Sequence, residues 1–223
     1  MFPDKIKLLV FDCDGTLVDS QHAITACMTD AFEDVGLKAP TIAEVRRVVG
    51  LPLAQAIELL ASNDNAPIDD MVAAYSSSWQ KLRAGGTLDE PLFAGTQNLL
   101  EQLKSVYWMM GIATGKSMRG LQATLEHHGL GAYFSALQTA DRARGKPDPE
   151  MLHLAMAETN AAPADTLMIG DTTYDISMAV AAGVRAIGVA WGYHAPEDLR
   201  RAGAIHVAED VAALMHFFND LKE

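Results

Sequence analysis

A short apolar segment that ends in two aspartates constrains this chain more than any other feature. Residues 6–11 are apolar except for Lys7, and Asp12, Asp14 and Gly15 follow directly. A run of this length is typical of a strand buried in a sheet. Because side chains alternate along a strand, both carboxylates should lie on one side, just beyond the strand's carboxyl end. Ligands bind at that edge of an open α/β sheet, although Asp and Gly also end many strands as an ordinary turn.

Two carboxylates held this close repel each other. A cation between them would relieve the repulsion, and so would protonation of one of them at a raised pKa. The sequence therefore predicts a cation site or a perturbed acid at Asp12 and Asp14.

Strand-like apolar segments alternate with helical patterns over most of the chain. This alternation predicts parallel βαβ units, and hence an α/β fold with a doubly wound parallel sheet. Thr114, Asp171 and Asp175 follow the ends of later strands, so we expect them to gather with Asp12 at one edge of the sheet. The predicted strands are 7–11, 106–113, 137–139, 166–170, 186–189 and 204–207, and the predicted helices are 116–128, 149–159, 174–182, 196–201 and 211–222.

One stretch of about 65 residues breaks the alternation. It holds four helical patterns and no convincing strand, at 20–36, 41–49, 53–62 and 69–84. We expect a helical domain at 19–87, inserted into a core formed by 1–18 and 88–223, with a cap on its first helix from Asp19 or Ser20. The domain could be a mobile lid hinged near 16–20 and 84–92, or a rigid insertion that only packs on the core.

Composition excludes several classes of partner. The formal net charge of −12 argues against nucleic acid or an anionic membrane, since either calls for a basic surface. The sequence shows no signal peptide and no apolar run long enough to cross a bilayer. Cys13 and Cys27 make no disulfide framework, and Cys13 is expected to be a small buried filler. We expect a cytoplasmic protein, monomeric or weakly dimeric.

Four ordered motifs resemble those of the haloacid dehalogenase-like hydrolases. They are DCDGT at 12–16, WMMGIATG at 108–115, GKPDP at 145–149 and TLMIGDTTYD at 166–175. A single motif would be weak support, but four in the right order span almost the whole chain. The resemblance implies a phosphate-transferring core, and the helical domain corresponds to the small helical cap of that family.

The resemblance also implies a role for each motif residue. Asp12 would be the nucleophile that forms an aspartyl-phosphate, and Asp14 the general acid and base. Asp14 favours phosphoryl transfer over dehalogenation, because a dehalogenase has no alcohol to protonate. Thr114 and the amide of Gly115 would bind phosphate oxygens, and Lys146 would lie between Asp12 and the phosphate.

A divalent metal is implied at the same site. Its ligands would be Asp12, Asp171 and the backbone carbonyl of Asp14, and these oxygen ligands suit Mg²⁺. Asp175 would stand behind them, contacting the metal through water or orienting Lys146; the alternative is an ordinary helix-start carboxylate. Lys116 is either a second cation near the entrance or a solvent-facing lysine at a helix start.

The substrate is the least constrained part of the sequence. Residues 48–53 resemble the substrate loop of phosphoglycolate phosphatases, and Arg46 and Arg47 could meet a substrate carboxylate or be solvated helix charges. The leading candidate is therefore 2-phosphoglycolate. Alternatives are a sugar phosphatase, a pyrophosphatase, a β-phosphoglucomutase and a non-catalytic binding protein on the same scaffold. A phosphonate hydrolase would need a lysine in the cap to form a Schiff base. It is disfavoured, because neither Lys38 nor Lys81 lies at the loop formed by residues 50–53.

Overall fold

The central element of the fold is one six-stranded parallel sheet. The computed structural model describes residues 6–63, 65–104 and 108–221. The strands lie in the order β3-β2-β1-β4-β5-β6. Their bounds are β1 Leu8–Phe11, β2 Met109–Thr114, β3 Ala136–Thr139, β4 Thr166–Gly170, β5 Arg185–Val189 and β6 His206–Ala208.

The described residues contain ten α-helices. Four lie between β1 and β2 in the inserted segment: α1 Gln21–Asp34, α2 Ile42–Val48, α3 Leu53–Ala61 and α4 Ile68–Ala84. The other six flank the sheet: α5 Thr96–Lys104, α6 Met118–His127, α7 Glu150–Thr159, α8 Thr173–Ala181, α9 Pro196–Ala202 and α10 Val211–Asp220. None of these helices is long and apolar enough to cross a membrane.

Helices cover both faces of the sheet, which explains why β1 is apolar at every position. Leu9 and Phe11 pack into one hydrophobic cluster, and Leu8 and Val10 pack into another on the opposite face. All four side chains are completely buried. A parallel strand in the middle of such a sheet has no solvated side, so alternation of polar and apolar residues is lost.

The strand register brings the chemistry-bearing residues to one edge. Phe11, the last residue of β1, pairs with Ile112 on one side and with Ile169 on the other. Asp12, Thr114 and Asp171 therefore come within one or two residues of the same line across the sheet, at the carboxyl ends of three adjacent strands. The edge location expected from the sequence is the observed one.

The inserted helices have their own hydrophobic core, in which α1 and α4 form the main contact. Phe32 and Met28 on α1 pack in one cluster with Ile57 on α3 and Met71 on α4. Thr41 begins α2 with a capping box that it shares with Glu44. The four helices thus have the local signals of an independent packing unit, and the division at 19–87 stays our proposal.

The two connections between the core and the inserted helices run side by side. Val18 forms an antiparallel bridge with Leu92. The amide of Asp19 donates to the carbonyl of Pro91 at 2.8 Å, and that of Phe93 donates to the carbonyl of Leu17 at 3.1 Å. A hinge at this position would bend two hydrogen-bonded segments together, at 17–19 and 91–93, close to both ends of the proposed domain.

The predicted α/β class and parallel sheet are confirmed, and most predicted elements agree with the observed bounds within two residues. The early part of the second predicted strand, at 106–107, and the end of the last helix at 222 lie outside the described residues. The prediction of a cap on α1 from Asp19 or Ser20 fails for Ser20, whereas Oδ1 of Asp19 accepts the amide of Gln21 at 3.4 Å. Ser20 occupies the N-cap position, but its hydroxyl makes no cap and turns toward Asp14 instead.

Candidate active site

Asp12 lies at the centre of the polar edge of the sheet. Its amide continues the strand ladder by donating to the carbonyl of Ile169 at 2.9 Å. Its Oδ1 accepts the amide of Cys13 at 2.6 Å and lies 2.8 Å from Nζ of Lys146. Its Oδ2 is buried without a hydrogen-bond partner among the residues that the structure describes. One oxygen of Asp12 is therefore held, and the other is left for a further ligand.

Lys146 reaches Asp12 from the loop that precedes α7. Its ammonium lies 2.6 Å from Oδ1 of Asp175 as well, and its side chain is 0% exposed. Burial alone would lower the pKa of Lys146, but the Asp12 and Asp175 carboxylates outweigh burial and raise that pKa above its ordinary value. Lys146 is thus a permanent positive charge between two acids.

Asp171 and Asp175 come from the end of β4 and the start of α8. Asp171 accepts hydrogen bonds from the Thr16 hydroxyl at 2.8 Å and from the amide of Tyr193 at 2.9 Å. Oδ2 of Asp175 closes a capping box with Thr172, while its Oδ1 pairs with Lys146. Asp175 therefore combines two of the roles that the sequence left open: it caps α8 and contacts Lys146.

The three buried acids form a cluster that suits a divalent cation. One oxygen of each of Asp12, Asp171 and Asp175 lies within 4.8 Å of the other two. Burial raises the pKa of Asp12 to about 7, although Lys146 opposes the shift. Burial, and then the charges of Asp12 and Asp175, raise the pKa of Asp171 well above its usual range. One ammonium cannot neutralise three carboxylates. The unpartnered Oδ2 of Asp12 and this excess of negative charge both fit a bound divalent metal ion.

Asp14 faces a different partner. Its Oδ1 accepts the Ser20 hydroxyl and lies 2.9 Å from Nζ of Lys116. Its carboxylate is therefore outside the acidic cluster, and the prediction that Asp14 binds the metal rests on its backbone carbonyl alone. Two neighbouring aspartates are thus held by two different lysines.

Lys116 is buried, so the interpretation as a solvent-facing helix-start lysine is wrong. Its side chain is 9% exposed, and its Nζ lies 2.8 Å from Oε1 of Glu90 and above the ring of Trp79. Glu90 is more deeply buried and also accepts the Thr124 hydroxyl at 3.0 Å. Burial of Lys116 opposes its charge, but Asp14 and Glu90 together raise its pKa well above the ordinary value.

Thr114 and Gly115 line the same cavity as Asp12 and Asp14. Thr114 is completely buried at the end of β2, and Gly115 begins the turn into α6. The cavity measures about 500 Å³ and extends from these residues into the inserted helices. The structure thus places Asp12, Asp14, Thr114 and Gly115 around one space, with Lys146 directly behind Asp12.

Arg46 and Arg47 are absent from the lining of this cavity, so the assignment of these arginines to a substrate carboxylate is not supported. Arg46 donates to the carbonyl of Gly192 at 2.8 Å and lies over the ring of Tyr193. Arg47 is exposed on the same side of α2. Both border a separate surface groove, because the apolar face of α2 is the face that turns to the site.

The loop between α2 and α3 lies directly on the core and covers the site. A Cβ built at Gly115 would come within 2.9 Å of the carbonyl oxygen of Leu51. A Cβ at Gly145 would come within 2.1 Å of Cγ of Pro52. Gly115 and Gly145 therefore leave room for the loop between α2 and α3, hereafter the cap loop. In this structure the cap loop is closed over the site.

Sequence reasoning missed three residues of the site. Ser20, Glu90 and Trp79 each contact Asp14 or Lys116. Ser20 lies six residues from its partner, and Glu90 and Trp79 lie at the end of the inserted segment, without a motif around them. The apolar pattern of α4 marks Trp79 only as a packing residue, so no signal in the sequence separates it from the core.

Comparison with known proteins agrees with this geometry. Residues 9–189 match the family described as haloacid dehalogenase-like hydrolase. The protein named probable phosphatase IndB, from Dickeya dadantii, is 37% identical over 201 residues, covering 87% of this chain and 86% of its own. A phosphoglycolate phosphatase from Photobacterium profundum is 31% identical, with 85% of each chain covered. The crystal structure of a predicted phosphatase from Clostridium acetobutylicum has a TM-score of 0.87 and 26% identity, covering 97% of this chain and 99% of that one.

Gly145→Ala should loosen the cap loop. The added methyl group would overlap Pro52, so the loop must move away from the core. We expect hydrogen–deuterium exchange at residues 49–56 to become several-fold faster, with β1 unchanged. Gly131→Ala is the matched control, because a Cβ there meets nothing within 4 Å. Equal exchange in wild type and Gly145→Ala would show that the loop does not depend on this contact.

Glu90→Gln should destabilise the protein by roughly 2–4 kcal/mol at pH 7, since it leaves a buried lysine with one partner fewer. Burial would raise the pKa of Glu90, but Lys116 and Thr124 outweigh burial and lower it below its ordinary 4.5. The stabilisation that the ionised Glu90 provides is therefore fully present above pH 4.5. It is lost as the pH falls through the folded-state pKa of Glu90.

Urea denaturation of both proteins from pH 7 down to pH 3 measures this difference. The gap between wild type and Glu90→Gln should narrow below pH 4.5. Glu126→Gln, on an exposed part of α6, should stay within about 0.5 kcal/mol of wild type at pH 7. A gap that is constant over the whole pH range would contradict a charged Glu90 in the native state.

Proposed function

This chain belongs to the haloacid dehalogenase-like hydrolases, and from that premise we propose that it is a Mg²⁺-dependent phosphomonoesterase that acts through an aspartyl-phosphate on Asp12. One observation carries the proposal. Asp12 is buried at the floor of a cavity that Asp14, Thr114 and Gly115 also line. Lys146 fixes one of its oxygens, and the other has no hydrogen-bond partner in the part of the chain that the structure describes.

Asp12 would attack the phosphorus and displace the alcohol, and water would then release inorganic phosphate from the aspartyl-phosphate. Lys146 favours the ionised carboxylate, which is the nucleophilic form, because its ammonium lies 2.8 Å from Oδ1. The same charge would offset the negative charge that accumulates on the phosphoryl group in the transition state.

Asp14 would act as the general acid and then as the general base. It would protonate the leaving alcohol and later accept a proton from the attacking water. Ser20 and Lys116 both contact Oδ1 of Asp14, which holds the carboxylate in one orientation. The proton would therefore be exchanged at a group that is fixed independently of the nucleophile.

The metal would be held by Asp12, Asp171 and the backbone carbonyl of Asp14, with Asp175 remaining on Lys146 and Thr172. When bound, Mg²⁺ supplies positive charge to the phosphoryl oxygens. Thr114 and the Gly115 amide would bind the remaining phosphate oxygens at the start of α6. The closed loop at Leu51 and Pro52 would keep bulk water from the aspartyl-phosphate.

The leading substrate candidate from the sequence, 2-phosphoglycolate, keeps the support of its named relative but loses Arg46 and Arg47 as carboxylate ligands. A β-phosphoglucomutase activity would convert sugar phosphate isomers, whereas a sugar phosphatase or a pyrophosphatase releases inorganic phosphate. A binding protein without catalysis is disfavoured, because Asp12 pairs with Lys146 and both Asp12 and Asp14 line the cavity. We also propose a cytoplasmic location, where free thiols such as Cys13 and Cys27 stay reduced.

Asp12→Asn should abolish the release of phosphate from p-nitrophenyl phosphate in the presence of Mg²⁺. Loss of the nucleophile should lower kcat by at least about 10⁴-fold. Asp210→Asn is the matched control: Asp210 caps α10, and Asn caps helices equally well. Substantial turnover by Asp12→Asn would show that water attacks the phosphorus directly.

Mg²⁺ should stabilise the folded protein, because it would neutralise buried carboxylates that repel each other. At a concentration about 100 times its Kd, the expected gain is about 2.7 kcal/mol, or roughly 5–10 °C in Tm. Differential scanning fluorimetry with Mg²⁺, and with NaCl at equal ionic strength, measures this gain. Asp171→Asn should lose most of it. An equal shift in wild type and Asp171→Asn would place the ion elsewhere.

A further inference from the structure

The cavity above Asp12 and Asp14 has apolar walls over most of its depth. Its volume of about 500 Å³ is in the range of pockets that enclose drug-sized ligands. Residues from all four inserted helices and from the loop between α2 and α3 line this space. Representative wall residues are Ile24, Met28, Val49, Leu53, Val72 and Trp79.

The positive charges that border the cavity already have partners or lie at its rim. Lys116 pairs with Asp14 and Glu90, and Arg83 lies 3.4 Å from Glu90. Arg119 is exposed at the start of α6. Among the described residues, no cation therefore stands free in the interior to receive a second anionic group of the substrate.

Neutral polar groups complete the lining. Ser76 and Gln80 on α4 border the cavity beside the apolar side chains. Such groups can bind a hydroxyl or an amide, but they do not neutralise a carboxylate. A carboxylate buried without a counter-charge is strongly disfavoured, whereas apolar surface gains from burial in proportion to its area.

We propose that the leaving group of the natural substrate is an uncharged alcohol with an apolar or aromatic body, larger than a two-carbon acid. This inference rests on the proposed phosphomonoesterase function and specifies its substrate class. The phosphate would lie on the charged floor, and the alcohol would occupy the apolar space beneath the inserted helices. The size and the neutrality of that space both argue against 2-phosphoglycolate as the preferred substrate.

A series of primary alkyl phosphates tests the size of the pocket without changing the reacting bond. Ethyl, propyl, butyl and hexyl phosphate have alcohols of similar acidity, so their kcat/KM values should differ through binding alone. We expect kcat/KM to rise about fourfold for each CH₂ that enters the cavity. Propyl phosphate has the same chain length as 2-phosphoglycolate and one heavy atom fewer, and we expect it to be the better substrate by at least about tenfold.

Two variants locate the effect. Val72→Ala shortens a wall residue, so the ratio of kcat/KM for hexyl phosphate to that for ethyl phosphate should fall several-fold. Leu59→Ala is the matched control, because Leu59 is 55% exposed on α3 and does not border the cavity. The control should keep both the ratio and the rates of wild type.

The outcomes separate this inference from the function on which it rests. A flat series, a ratio unaffected by Val72→Ala, or 2-phosphoglycolate as good a substrate as propyl phosphate would overturn the substrate class while leaving a working phosphatase. No release of phosphate from any member of the series, from 2-phosphoglycolate or from p-nitrophenyl phosphate would overturn the phosphomonoesterase itself.

Discussion

The ion pair of Lys146 with Asp12 and Asp175 is the interaction on which the rest of the site depends. Three buried carboxylates within 4.8 Å would repel each other strongly in a low-dielectric interior, and one ammonium offsets only part of that charge. The remaining negative charge would give a divalent cation its affinity for the cluster. A site whose charges were balanced without the metal would bind the metal weakly. The excess of carboxylates over ammonium groups is therefore what a metal site needs.

The geometry divides the two motif aspartates between two separate ion pairs. Lys146 forms an ion pair with Asp12, and Lys116 forms ion pairs with Asp14 and Glu90. Adjacent carboxylates in one shared environment would titrate as a coupled pair. Separate partners would let Asp12 act as the proposed nucleophile while Asp14 exchanges the proton. Glu90 lies in the connection to the inserted helices and contacts Arg83 of α4. Asp14, the proposed acid–base residue, is therefore linked through Lys116 and Glu90 to the inserted helices as well as to the core.

The core of the site was predictable because its signals are local. β1 is apolar on both faces, and the residues after β1, β2 and β4 converge wherever parallel strands end together. The contacts of Lys116, Ser20 and Glu90 were not predictable, because each depends on how the inserted helices return to the core. The same holds for Arg46 and Arg47: their charge suggested a ligand, but only the rotation of α2 decides which face meets the cavity.

The strand-end residues were predictable and the contacts of the inserted helices were not, and this difference has a physical cause. The floor of the cavity is built from strand ends whose positions are set by backbone hydrogen bonds, so a small change in a neighbouring side chain would leave the proposed phosphate site in place. The roof is built from helices that pack through side chains alone, and each substitution there alters the shape of the space. Selectivity for the leaving group can therefore change through residues such as Val72 and Leu53 while Asp12 and Lys146 stay as they are.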